Sequence, residues 1–148
     1  DGPADADVTL VGWGSTWGTI VEAAEHLRQA GISTNHLQIK FLVPLHEEEI
    51  SSILGRSRRI IIVENNQGGQ FARHLRAETG IVADGHIRKY DGEPFEPKHI
   101  VAGVKDVLGG TQVVEVLSTE PGWRTDHPTG TSGPWAGMRV DEESKTFA

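Results

Sequence analysis

Glu64-Asn65-Asn66-Gln67 follows the four β-branched residues Ile60-Ile61-Ile62-Val63 and precedes Gly68-Gly69 and a helix expected to begin near Gln70. A carboxyl group at the end of a strand can serve as a general base, but no histidine or lysine companion stands near Glu64 in the sequence. A hydrogen-bonding or interface role fits it better. Asn65, Asn66 and Gln70 are neutral polar groups, suited to orienting a neighbour rather than moving protons. Gly12-Trp13-Gly14-Ser15-Thr16-Trp17-Gly18 has the look of a dinucleotide fingerprint and fails it. Its G-x-G-x-x-x-G spacing holds one residue too many before the last glycine. The acidic ribose partner is also missing, because Lys40-Phe41-Leu42-Val43 stands where it is expected. A tight turn that lets backbone and helix approach closely accounts for these glycines.

Ser15 follows a strand, yet its glycine neighbours lack the spacing of a nucleophile elbow, so Ser15 or Thr16 reads as a helix cap. His46-Glu47-Glu48-Glu49-Ile50 lacks the second histidine of a zinc-protease helix, and the seven histidines are scattered. No catalytic residue, no metal ligand and no cofactor-binding residue is therefore assigned. The candidates for an interface or edge loop are Gly14, Ser15, Thr16, Glu64, Asn65, Asn66, Gly69 and Gln70.

The elements that must position these residues follow from hydrophobic patterning. Val8 to Gly14 reads as a short strand ending in glycines, followed by a helix with Ile20, Ala24 and Leu27 inward until Gly31 stops it. Leu37 to Val43 is expected as a second strand closed by Pro44. His46 to Leu54 is a short helix whose acidic first turn suits the positive end of its dipole. Ile60 to Val63 is apolar on both faces, as in a parallel sheet covered by helices. Gln70 to Glu78 forms the next helix, with Phe71, Ala72 and Leu75 inward. Ile81 to Tyr90 is extended and half polar, which places it nearer a sheet edge. Asp91-Gly92 turns the chain, and Pro97 opens a helix with Ile100, Val101, Val104 and Leu108 on one face. Strand and helix alternate, giving an α/β fold: a three-layer α/β/α sandwich with a mostly parallel sheet of about five strands. In such a sheet the loop after Val63 lies at the carboxyl edge, where ligands and partner surfaces dock.

Residues 1–7 read as an acidic linker, 8–110 as the α/β domain, and 111–148 as an extension or subunit-contact arm. Val113 to Leu117 fits either one more strand or an extension on a neighbour. From Ser118 onward Pro, Gly, Thr and Ser dominate, with Trp123, Trp135 and Met138 as the large apolar side chains before Val140. Such a stretch fits a disordered end or an arm ordered on another subunit, and the two tryptophans favour the arm. The absence of an initiator methionine leads to the expectation that the chain begins inside a longer polypeptide.

A chain of 148 residues is long enough for one domain with a sizeable core. Its formal charge of -7 disfavours nucleic acid as the main partner. The one basic cluster, Arg56-Ser57-Arg58-Arg59, suits a solvated turn. Zero cysteines excludes a disulfide framework, a thiolate nucleophile and a cluster held by this chain. No apolar run approaches the roughly 20 residues of a membrane helix, and no membrane partner is expected. Cytoplasmic localisation is the default expectation.

Three segments in order carry a family resemblance. Val8-Thr9-Leu10-Val11-Gly12-Trp13-Gly14-Ser15-Thr16 is the first, and Val63-Glu64-Asn65-Asn66 with Gly69-Gln70-Phe71-Ala72-Arg73 the second. The third is Ile87-Arg88-Lys89-Tyr90-Asp91-Gly92 with Pro94-Phe95. Together they resemble the α subunit of 2-oxoacid:ferredoxin oxidoreductases, most nearly the 2-oxoglutarate type, in its transketolase C-terminal-like domain. The similar region runs from Ala6 to Leu108. The resemblance implies a thiamine-dependent complex that oxidatively decarboxylates a 2-oxoacid to acyl-CoA and reduces ferredoxin. Thiamine diphosphate, Mg and the iron–sulfur cluster are then expected in the complex, mainly on the β subunit. Other α-subunit domains, ferredoxin and CoA complete the implied partners. This chain would be a non-catalytic scaffold and interface domain. The alternative from another class is a free-standing CoA- or nucleotide-binding α/β module.

Overall fold

Ten elements alternate along residues 1–117, which a computed structural model describes. They are β1 (Val8–Trp13), a 3-10 turn (Gly14–Thr16), α1 (Trp17–Gln29), β2 (Thr34–Ile39) and α2 (Glu47–Leu54). After these come β3 (Ile60–Glu64), α3 (Gln70–Thr79), β4 (Gly85–Lys89), α4 (Pro97–Leu108) and β5 (Val113–Val116). The expected arm residues Trp123, Trp135 and Met138 lie outside the described residues.

The five strands form one sheet in the order β2-β1-β3-β4-β5, and every pairing is parallel. All residues of β3 are buried, as four consecutive β-branched side chains require of a strand covered on both faces. Alternate residues divide between two cores. Leu10, Ile61, Val63 and Ile87 pack under α1 and α4, while Val11, Ile60 and Ile62 pack under α2 and α3.

That division gives the fold an unusual hand. The step from β1 to β2 runs to one side of the sheet, and the steps β2 to β3, β3 to β4 and β4 to β5 run to the other. Right-handed crossovers then need α1 on one face and the remaining helices on the opposite face. Helices α2 and α3 comply, but α4 shares the face of α1, so the β4–α4–β5 unit is left-handed. Two glycines let α4 seat there. A Cβ on Gly85 would fall 2.4 Å from Val107 Cγ1, and one on Gly103 would fall 2.8 Å from Ile87 Cδ1. On the α3 side, β5 is left uncovered: Val113 and Glu115 are exposed, and His86 and Arg88 of β4 are only half-buried.

Several expectations need correction. The second strand begins at Thr34 and ends at Ile39, because Trp13, the last residue of β1, pairs with Ile39 and no backbone partner lies beyond. Phe41 and Val43, read as strand residues, are exposed in the following loop. The polar start of β2 is buried because the chain's first residues lie along its outer edge: Asp1 and His36 exchange two backbone hydrogen bonds, of 2.6 and 3.0 Å. β4 is one strand in from the edge, since Val113–Val116 pairs with it as β5. On α4 the inward position is Val107, and Leu108 is exposed. Neither Ser15 nor Thr16 supplies a side-chain cap to α1; the Thr16 hydroxyl donates instead to Trp13 O at 2.9 Å. The basic cluster is a solvated turn, as expected, whose exposed Arg58 and Arg59 also meet Asp7 and Asp84. No helix among the described residues is long and apolar enough to cross a membrane.

Candidate functional site at the carboxyl edge

Strand order reverses between β1 and β3, and the crevice above their carboxyl ends is where an open α/β sheet can receive a ligand. A cavity of about 560 Å³ lies there. Ser15 and Thr16 after β1, Asn65 after β3, and Lys89, Tyr90 and Phe95 at the end of β4 form its wall. The volume is in the range of small-molecule sites, about 300–1,000 Å³.

The glycine turn fits the close-approach reading. A Cβ on Gly12 would fall 2.3 Å from Ile20 Cδ1 and 2.8 Å from Thr16 Oγ1, so only glycine lets β1 and α1 meet this closely. Gly14 has φ +59° at the tip of the turn and faces open space. On the far wall, Lys89 is buried and its Nζ lies 2.5 Å from Asp91 Oδ2. Asp91 Oδ1 accepts the Glu93 amide at 3.1 Å, so one carboxylate ties the strand end to the turn that follows. The Tyr90 hydroxyl donates to Glu115 Oε2 at 3.1 Å, and the accepting carboxylate holds the phenol pKa above its ordinary value.

The second predicted loop is built around α3. Its first residues leave amides without intrahelical partners, and the cap residue Gly69, at φ +63°, has no side chain to offer. Residues further back satisfy them. Asn66 Oδ1 accepts from the Gln70 amide at 3.0 Å, and Glu64 Oε2 accepts from the Phe71 amide at 2.9 Å. Asn66 Nδ2 donates to the same Glu64 oxygen at 2.5 Å. Glu64 is fully buried, so its carboxyl works as an internal cap and does not face the cavity.

Beside this loop lies an apolar depression of about 280 Å³, lined by Trp13, Leu42, Val43, Gln70, Phe71 and His74. Trp13 and Phe71 pack with ring centroids 6.2 Å apart, and the ring Nε2 of His74 lies 2.9 Å from Leu42 O. Three large apolar side chains stand exposed around the same edge: Trp17 at 58%, Phe41 at 63% and Val43 at 84%.

The eight predicted residues thus divide. Ser15, Thr16 and Asn65 share the large cavity, and Gln70 lines the apolar depression. Glu64, Asn66 and Gly69 shape the loop from beneath, and Gly14 is the turn tip. The sequence reading missed Lys89, Tyr90 and Phe95, and also the exposed Trp17, Phe41 and Val43. Lys89 was legible in principle, because alternation with Gly85 and Ile87 places it on the covered face. Among the described residues, no hydrogen bond joins Ser15 to a histidine or carboxylate, and no three His, Asp or Glu side chains converge as metal ligands.

Residues 3–84 match the family model for the transketolase C-terminal domain. The chain is 37% identical over 119 residues to subunit alpha of 2-oxoacid:ferredoxin oxidoreductase 1 from Aeropyrum pernix, covering 79% of this chain and 19% of that one. It therefore spans about a fifth of that curated relative's length. Among solved structures, it is similar to the alpha chain of a probable 2-oxoacid ferredoxin oxidoreductase from Thermoplasma acidophilum. That match has 34% identity and a TM-score of 0.52, over 73% of this chain and 93% of that one. A second similar structure is 2-oxoglutarate:ferredoxin oxidoreductase from Magnetococcus marinus, with 2-oxoglutarate, coenzyme A and succinyl-CoA bound. The identity is 31% and the TM-score 0.65, over 70% of this chain and 18% of that one.

Proposed function

The chain belongs to the transketolase C-terminal domain family as carried by the α subunits of 2-oxoacid:ferredoxin oxidoreductases, and from that membership we propose that it is an interface domain of such an enzyme. In this reading the complete enzyme oxidatively decarboxylates a 2-oxoacid, with 2-oxoglutarate as the substrate, to acyl-CoA and passes the electrons to ferredoxin. The chemistry sits on neighbouring chains and domains, with thiamine diphosphate, Mg and the iron–sulfur cluster on a β subunit. The residues of this chain do not fit those groups. Its sequence contains no cysteine to hold a cluster, and its described residues bring no metal-ligand set together. No reaction step is therefore assigned to its side chains.

The observation that carries the reading is the apolar rim of the carboxyl edge. Trp17 after β1 and Phe41 and Val43 after β2 expose large side chains at this edge, and Val43 also lines the depression with Trp13 and Phe71. A free surface gains nothing from such groups, whereas a docked one removes their area from water. The neutral loop groups Asn65 and Gln70 then orient the partner at the rim of the contact. Because Asn66 caps α3, its replacement would disturb the fold; Asn65 and Gln70 are exposed and make the cleaner test. Asn65→Ala with Gln70→Ala in the intact enzyme should lower assembly affinity by roughly tenfold, read by analytical ultracentrifugation, while the melting temperature of the chain stays unchanged. Unaltered assembly and turnover would make this loop ordinary surface.

The cavity of about 560 Å³ supports a second reading, a CoA- or nucleotide-binding module. Saturable calorimetric titration of the chain with CoA, abolished by Asn65→Trp, would favour it. No heat of binding would favour the interface domain.

A further inference from the structure

The left-handed β4–α4–β5 unit leaves a cleft on the opposite face, between α3 and the uncovered half of β4. We propose that this cleft, walled by Arg73, Arg76, His86 and Arg88, binds a phosphoryl group. The inference goes beyond the interface reading and does not depend on it.

Four nitrogen bases line the cleft together with Gly69 and the apolar segment Ile81–Ala83, and no carboxylate is part of its wall. Surface arginines elsewhere find partners: Arg28, Arg58 and Arg59 each meet an acidic side chain. Arg73 and Arg76 have neither an ion pair nor a side-chain hydrogen bond among the described residues. Arg88 Nη1 donates to Gln67 O at 3.1 Å, which anchors its guanidinium. Its Nε and the Nδ1 of His86 are buried without a partner.

The two glycines before α3 make room for this charge. A Cβ on Gly68 would fall 2.7 Å from Arg73 Nη2, and one on Gly69 would fall 2.5 Å from Arg88 Nη2. Two carboxyl groups face the cluster from neighbouring strands. Glu64 lies in register with Arg88 from β3, and its Oε2 accepts the Phe71 amide; Glu115 lies in register from β5 and accepts from Tyr90. Glu64 Oε1 is itself buried without a hydrogen-bond partner. Neither carboxyl group is ion-paired to Arg88 among the described residues, so three arginines stand against two carboxyl groups. The cleft holds about 150 Å³, too small to enclose a whole nucleotide and sufficient for one phosphoryl group whose remainder lies outside. Several guanidinium forks and an imidazole suit the three acceptor oxygens and double charge of a phosphate monoester better than a single carboxylate. Burial and then Arg88 hold the His86 pKa below its ordinary value, with Glu64 opposing, so a bound dianion should raise it.

The test is nuclear magnetic resonance of the full chain, following the His86 ring while inorganic phosphate replaces chloride at constant ionic strength. A saturable shift with a dissociation constant on the order of 1 mM is expected, together with a raised His86 pKa. Arg73→Gln and Arg76→Gln, both at exposed helix positions, should each weaken binding roughly tenfold or more without moving the melting temperature. Adenosine 3′,5′-bisphosphate is the second probe. Tighter binding than phosphate assigns the group to a larger phosphate monoester, and equal binding assigns it to free phosphate. A His86 response identical in phosphate and chloride, or variants that titrate like the parent, would overturn the proposal.

Discussion

Replacing Lys89 by alanine will cost about 3–5 kcal/mol of folding stability, the loss typical of breaking a buried ion pair from one side. The Lys89 side chain is fully buried, and the Asp91 carboxylate that meets its ammonium is only 16% exposed. Losing the ammonium takes a charge partner from that carboxylate in a poorly solvated place and also removes the packing of a four-carbon stem. Lys89→Met keeps most of the stem and removes the charge. Joined with Asp91→Asn it should recover part of the loss, because neither member of the pair then keeps a charge that has lost its opposite. Urea unfolding of the four proteins of this cycle measures the coupling directly. A loss below about 1 kcal/mol for Lys89→Ala would show that water relieves Asp91 and that the pair holds nothing together. Lys89 also lines the large cavity, so its replacement should blunt any binding found there.

The second large effect is expected at Glu64. Glu64→Ala removes the acceptor of the Phe71 amide and of the Asn66 side chain in a fully buried place, a loss of about 3 kcal/mol. Glu64→Gln retains a carbonyl acceptor and should lose about 1 kcal/mol. Hydrogen exchange should locate the damage. In the alanine variant the first turn of α3 should exchange faster while β3 stays protected. Uniform loss of protection, or equal stability of the two variants, would mean that Glu64 serves the core generally rather than capping this helix.

Much of this architecture is written in local pattern. Ile60 to Val63 announces a doubly covered strand, Gly31 and Gly80 end helices in the left-handed conformation, and Pro97 opens α4. These signals act within a few residues, so the sequence alone carries them. The start of β2 is not written locally, because Thr34, Asn35 and His36 are polar and the distant residue Asp1 pairs with His36 along that edge. The hand of the last crossover was equally hidden. No local feature says which face α4 takes; that choice rests on Gly85 meeting Val107 and Gly103 meeting Ile87 across the sheet.

The candidate site shows the same division. Glu64 and Asn66 were visible as a polar loop after a buried strand, but their service to the α3 amides required the register of helix against loop. Lys89 belonged to a recognisable motif, and only its burial shows that it builds the cavity wall. The exposed Phe41 and Val43 were hidden by an over-long strand assignment, which placed the strongest interface signal inside the sheet.

The most direct test of the interface assignment is the mass of the intact enzyme when the apolar rim carries charge. Trp17→Glu and Val43→Glu alter exposed side chains, so the domain should keep its unfolding midpoint. In native mass spectrometry of the complex, the double variant should fall apart into separate subunits while the parent remains assembled. A double variant that assembles and turns over like the parent would contradict it, and the carboxyl edge would then be free surface.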